Sequence, residues 1–165
     1  MSDAAPSRRT DRATLEIAAS PDAIYAAFVD PEALMRWLPP RGMTGRILEY
    51  EFRPGGRYRL ALTRGDDAPE NAGKTSGRTD VTTGRFLALE PGKRIVQSVE
   101  FASDDPAFAG EMRMTWAFEP TATGTRVTVT AENVPPGIEK SDHDAGLRSS
   151  LENLANQVVA ETPVP

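Results

Sequence analysis

Cysteine is absent from this 165-residue chain, histidine occurs once and aromatic side chains make up 7% of it. Without thiols there is no disulfide and no thiolate metal site. A single histidine without a spaced set of carboxylates falls short of a zinc constellation, so neither metal nor cofactor is expected. No run approaches the roughly 18 apolar residues of a membrane span, and MSDAAPSRR lacks the apolar heart of a secretion signal. Lysine and arginine form no cluster and the net charge is −5, which argues against nucleic acid or an anionic membrane as the main partner. Also missing are a GxSxG elbow, a Walker loop, a dinucleotide fingerprint and HExxH; GGRYRL reads as a turn and strand, not a phosphate cradle. These absences describe a soluble, cytoplasmic chain with no catalytic signature, more plausibly a binder than an enzyme.

What is present is patterned. Residues 1–9 are small and polar and read as a disordered tail; residues 10–160 read as one domain, with a second short tail at 161–165. In RATLEIAA, Ala13, Leu15 and Ile17 alternate against Thr14 and Glu16, the mark of a strand with one buried face. Ser20 followed by Pro21, and Asp30 followed by Pro31, are successive helix starts; Pro39 and Pro40 stop the second helix after Trp37. The period then switches to two. Leu48, Tyr50 and Phe52 alternate with charged residues, RPGG turns the chain, and Tyr58, Leu60 and Leu62 share the next inward face. TRGDDAPENAGKTSGRT reads as a long mobile link, followed by four strands: Asp80 to Leu89, Ile95 to Phe101, Glu111 to Phe118 and Thr125 to Ala131. Met112, Met114, Trp116 and Phe118 fall on one side of the third of these, and Gln97 falls inward on the second.

The chain closes on SDHDAGLRSSLENL. At about 100° per residue, His143, Leu147, Leu151, Leu154 and Val158 lie on one helix face, with Gly146 and Ser150 beside the histidine. Ser141 and Asp144 have the spacing of a capping box. The fold class is α+β, in the order β-α-α-β6-α, with a curved antiparallel sheet of about seven strands wrapped around the last helix. One helix about 10 Å wide cannot fill the concave face of such a sheet. The small and polar start of its inward face therefore marks a cavity, or a very close approach by another element.

Three stretches, SPDAIYAAFVDPEALMRWLPPRGMTGRI, GRFLALEPGKRIVQSVEFASDDPAFAGEMRMTWAFEP and GIEKSDHDAGLRSSLENLA, carry a family resemblance over roughly Thr10 to Val159. In this order they resemble the START-like, birch-pollen-allergen-like superfamily known as SRPBCC. Within it, the chain is most similar to bacterial single-domain proteins grouped with the activator of the ninety-kilodalton heat-shock chaperone's ATPase. The resemblance implies a helix-grip fold with a hydrophobic cavity, and implies no particular reaction. It also implies that Trp37, Leu38 and Met43 line a cavity entrance, where plain core packing is the alternative.

The residues expected to meet a ligand are Trp37, Leu38, Met43, Tyr58, Gln97, Met112, Met114, Trp116, His143, Gly146, Leu147 and Ser150. Tyr58 offers a hydroxyl, Gln97 an amide that needs a partner if buried, and the methionines an adaptable wall. His143 has three readings: a ligand contact, a general acid or base, or a ring held by a backbone carbonyl or carboxylate. The functional expectations follow in that order. The first is a module that shelters a small hydrophobic or aromatic molecule. The second is a cyclase- or hydrolase-type enzyme working through His143, and the third is a chaperone ATPase-activating partner. A homodimer is compatible with each.

Overall fold

The computed structural model describes residues 8–70 and 72–161. Strand β1 (Arg9–Ile17) leads into helices α1 (Pro21–Val29) and α2 (Pro31–Trp37); then come β2 (Met43–Tyr50), β3 (Arg57–Arg64), β4 (Thr79–Glu90), β5 (Arg94–Phe101), β6 (Met112–Thr121) and β7 (Gly124–Val134), and helix α3 (Lys140–Glu161) closes the chain. One turn of 3₁₀ helix, Pro106–Phe108, lies between β5 and β6. The seven strands form one antiparallel sheet in the order β1-β7-β6-β5-β4-β3-β2. The first two strands in sequence are thus its two edges, and α1 and α2 carry the chain from one edge to the other. This is the helix-grip α+β fold.

Local signals set these boundaries. The Ser20 side chain accepts a hydrogen bond from the Ala23 amide at 3.1 Å, and Asp30 accepts one from the Glu32 amide at 3.0 Å. Each cap is followed by a proline at the first helical position, where no amide hydrogen is needed. The inward stripe of α3 is buried at Leu147, Leu151, Leu154 and Val158. It packs against β1, α1 and α2 and belongs to one continuous core with Trp116, Phe118, Val127 and Val129 of the sheet.

Three expectations are corrected. β1 begins at Arg9, not at the end of a tail, because the Arg9 guanidinium is tied to Asp11 and to the Ile138 carbonyl; residues 1–7 and 162–165 lie outside the described residues. Leu48 does not share the inward face with Tyr50. A bulge between Ile47 and Glu49 shifts the register and leaves Leu48 43% exposed. Ser141 and Asp144 form no capping box, since α3 already begins at Lys140, whose ammonium takes Asp144 Oδ2 at 2.9 Å.

Candidate functional site

The curvature that lets seven strands hold one helix leaves a hollow of about 690 Å³ between the sheet and the first half of α3. Met43, Tyr58 and Leu60 wall it from β2 and β3, and Phe86 from β4. Gln97, Met112, Met114 and Trp116 continue the wall across β5 and β6. On the helical side stand Leu38 after α2, and His143, Gly146, Leu147 and Ser150 on α3. A Cβ added at Gly146 would meet only Pro40 Cγ, 3.9 Å away. The sparse face read from the sequence is therefore open space, not a close approach.

Trp37 is the exception among the expected lining residues. It is fully buried, edge-on to Phe28 and Trp116 with ring centroids 4.8 and 5.6 Å away, and its indole nitrogen donates to the Ala27 carbonyl at 2.9 Å. Helical periodicity explains this. Leu34 and Leu38, four positions apart, form the stripe of this segment that lines the hollow, and Ala33 and Trp37 form the neighbouring stripe buried beside it.

His143 borders the hollow with its side chain 15% exposed. Its Nδ1 lies 2.7 Å from Oδ2 of Asp11, a fully buried carboxylate on β1. Arg9 grips the same carboxylate through Nε (2.7 Å) and Nη2 (2.9 Å), and Nη2 also donates to the Ile138 carbonyl at 2.7 Å. Burial pushes the Asp11 carboxyl up, but the hydrogen bonds from Arg9 and His143 outweigh it and hold the group at about 2. An ionised carboxylate only accepts, so Nδ1 carries the proton and Nε2 is the nitrogen available to a guest. Of the three readings of this residue, retention by a carboxylate is realised, with the carboxylate 132 positions away in sequence.

Tyr58 is buried, and its hydroxyl donates to the Ser98 carbonyl on β5, reaching across β4 to do so. Gly84 makes this possible: a Cβ there would stand 1.9 Å from the Ser98 carbonyl oxygen and 2.6 Å from the Tyr58 hydroxyl. The β4–β5 pairing lapses between Thr83 and Phe86, and the phenol supplies the hydrogen bond that the ladder omits. Gln97 accepts from the Trp116 indole at 3.2 Å, which gives the inward amide a partner inside the wall.

Pro39 and Pro40 stop α2 and leave its last carbonyls without helical donors. Helix α3 supplies donors to those of Trp37, Leu38 and Pro39. Ser150 donates to the Leu38 carbonyl at 2.7 Å, and Asn153 donates to the Trp37 and Pro39 carbonyls at 3.2 and 3.0 Å. The polar start of the α3 face thus both borders the hollow and fixes α2 beside it.

At the other side of the opening, Asp80 is buried and accepts from Arg64 at 2.9 Å, from the Lys74 ammonium at 3.1 Å and from the Lys74 amide at 2.7 Å. Burial pushes its carboxyl up, and Arg64 and Lys74 together bring it below its ordinary value. Lys74 also stands over the rings of Phe101 and Phe108, 5.1 and 5.7 Å from their centroids. The long link that reads as mobile in sequence is anchored here.

Residues 18–158 match the family model described as "Activator of Hsp90 ATPase homolog 1-like protein". The chain belongs to that family. A crystal structure from Chromobacterium violaceum is 32% identical, with a TM-score of 0.79 over 90% of this chain and 96% of that one. A Rhodobacter sphaeroides structure at 24% identity (TM-score 0.75, 93% of each chain) shares the fold. So does the structure of an AHSA1 protein from Silicibacter pomeroyi, at 20% identity (TM-score 0.75, 93% of this chain and 100% of that one). No curated protein matches the chain. The family and fold are those of a ligand-binding type of domain, and no helix among the described residues is long and apolar enough to cross a membrane.

Sequence reasoning missed Asp11, Arg64, Lys74, Asp80 and Asn153. For the two aspartates a signal existed. Asp11 has the parity of Ala13, Leu15 and Ile17, and Asp80 that of Thr82 and Phe86, so each strand pattern places a carboxylate on an inward face where it must find a cation.

Proposed function

We propose that this cytoplasmic protein binds one small apolar or aromatic molecule in the hollow between the sheet and α3. The observation that carries this reading is the hollow itself. At about 690 Å³ it falls within the roughly 300–1,000 Å³ range of ligand sites, and its wall is mainly aliphatic, aromatic and methionine side chains. A closed core of this size would be filled, since interiors pack to crystal density. Gly146→Leu tests the reading, because leucine at that position projects into the open space. Thermal-shift screening against hydrophobic metabolites should find ligands that stabilise the wild type by about 2.7 kcal/mol at a hundredfold excess over Kd. The leucine variant should lose that response. No response in the wild type to any ligand, together with simple stabilisation of the variant, would overturn the proposal.

One bond favours a second reading, that of a cyclase- or hydrolase-type enzyme. A carboxylate on Nδ1 orients the imidazole at the edge of the hollow and leaves Nε2 as its second ring nitrogen. His143→Gln decides this in an activity assay on a turned-over substrate. A drop of at least a hundredfold is expected if the ring moves a proton; unchanged turnover removes it from the mechanism.

A further inference from the structure

We infer that the guest is an organic acid, with an apolar body deep in the hollow and one anionic group held at the mouth by Lys74 and Arg64; the inference rests on the binding function proposed above. Strand register gives the hollow two unlike ends. Arg64 pairs with Met43, Asp80 with Leu62, Phe101 with Thr82 and Met112 with Val99, and these pairs share one end of the sheet. Toward the other end the pairs are Tyr50 with Tyr58, Phe86 with Gln97 and Ile95 with Trp116. The far end is aromatic, and the mouth is ionic.

The mouth is also unbalanced. Arg64 and Lys74 both bind the single carboxylate of Asp80, so one positive charge in this group is left over. Their side chains are only 26% and 16% exposed, so water solvates the surplus poorly. The imbalance extends to the whole lining. Four cations, Arg41, Arg64, Lys74 and Arg148, face three carboxylates, Asp80, Asp142 and Glu152, in a chain whose net charge is −5. The lining thus carries one net positive charge in a chain that is negative as a whole. The Lys74 backbone N–H and ammonium both donate to Asp80 and the ammonium stands over two aromatic faces, so it is fixed in place before a guest arrives. A carboxylate or sulfonate entering there would meet both cations and neutralise the surplus.

The test uses two fluorescent probes that share one ring system, anilinonaphthalene sulfonate and its uncharged counterpart N-phenylnaphthylamine, titrated into the intact protein. The wild type should bind the sulfonate about tenfold tighter than the amine. Lys74→Met should erase that preference. Asp80→Asn should widen it, because it releases both cations, and this opposite sign separates charge recognition from a general loosening of the mouth. Equal or weaker binding of the sulfonate by the wild type, with the ratio unchanged in both variants, would overturn the inference and leave the binding function standing. Failure of both probes to bind would overturn the binding function as well.

Discussion

At the scale of single residues, the most consequential group is Asp11, which no motif marks. It lies fully buried between Arg9 and His143 and joins the first strand to the first turn of the last helix. Its folded value of about 2 lies below the unfolded 3.8, so its contribution is complete above about pH 4 and is lost as pH falls through about 2. The size of that contribution is about 2 kcal/mol. Denaturant melts of wild type and Asp11→Asn should therefore differ by about that much near neutrality, with the gap closing as pH falls from about 4 through about 2. A gap that persisted unchanged below about pH 2 would contradict the ionised pairing. His143 shows where sequence reading stops. Periodicity gave its inward direction correctly, but its partner lies on a strand at the opposite end of the chain, and nothing local to the helix points there. Tyr58 is similar: its parity was legible, while its bond to the Ser98 carbonyl depends on the gap left by Gly84 in the intervening strand.

At the scale of elements, the legible features were those governed by short-range rules. Ser20–Pro21 and Asp30–Pro31 start helices through contacts two or three residues long, and the alternation of Met112, Met114, Trp116 and Phe118 gives β6 its inward face directly. The rules failed where one residue was inserted or where two elements share a duty. The bulge at Ile47 turned Leu48 outward, and no residue in that stretch announces it. The junction of α2 and α3 is a shared duty: α2 ends before the two prolines, and Ser150 and Asn153 donate from α3 to the Trp37, Leu38 and Pro39 carbonyls at its end. Asn153→Ala leaves the carbonyls of Trp37 and Pro39 without that donor. It should cost about 1–3 kcal/mol in unfolding free energy, and hydrogen exchange should show α2 opening more readily. An unchanged melt would mean that the amide bonds do not hold α2 in place.

At the scale of the whole molecule, the architecture follows from a mismatch of areas. Seven strands curve around one helix, the lower half of that helix is fully packed at Leu151, Leu154 and Val158, and the upper half stands off the sheet at Gly146. The order of elements and the hollow were both readable from periodicity. The ionic mouth was not, because Lys74 comes from a polar link whose anchoring depends on Asp80 in the following strand. The methionines offer the most direct test of the central claim that a guest occupies this space. Met43, Met112 and Met114 line the hollow, whereas Met35 packs under the α2–β2 junction against Gly45 and does not. With methyl-labelled methionine, titration of N-phenylnaphthylamine followed by NMR should move the signals of Met43, Met112 and Met114 and leave Met35 in place. A titration in which those three stay fixed, or in which Met35 alone moves, would contradict it.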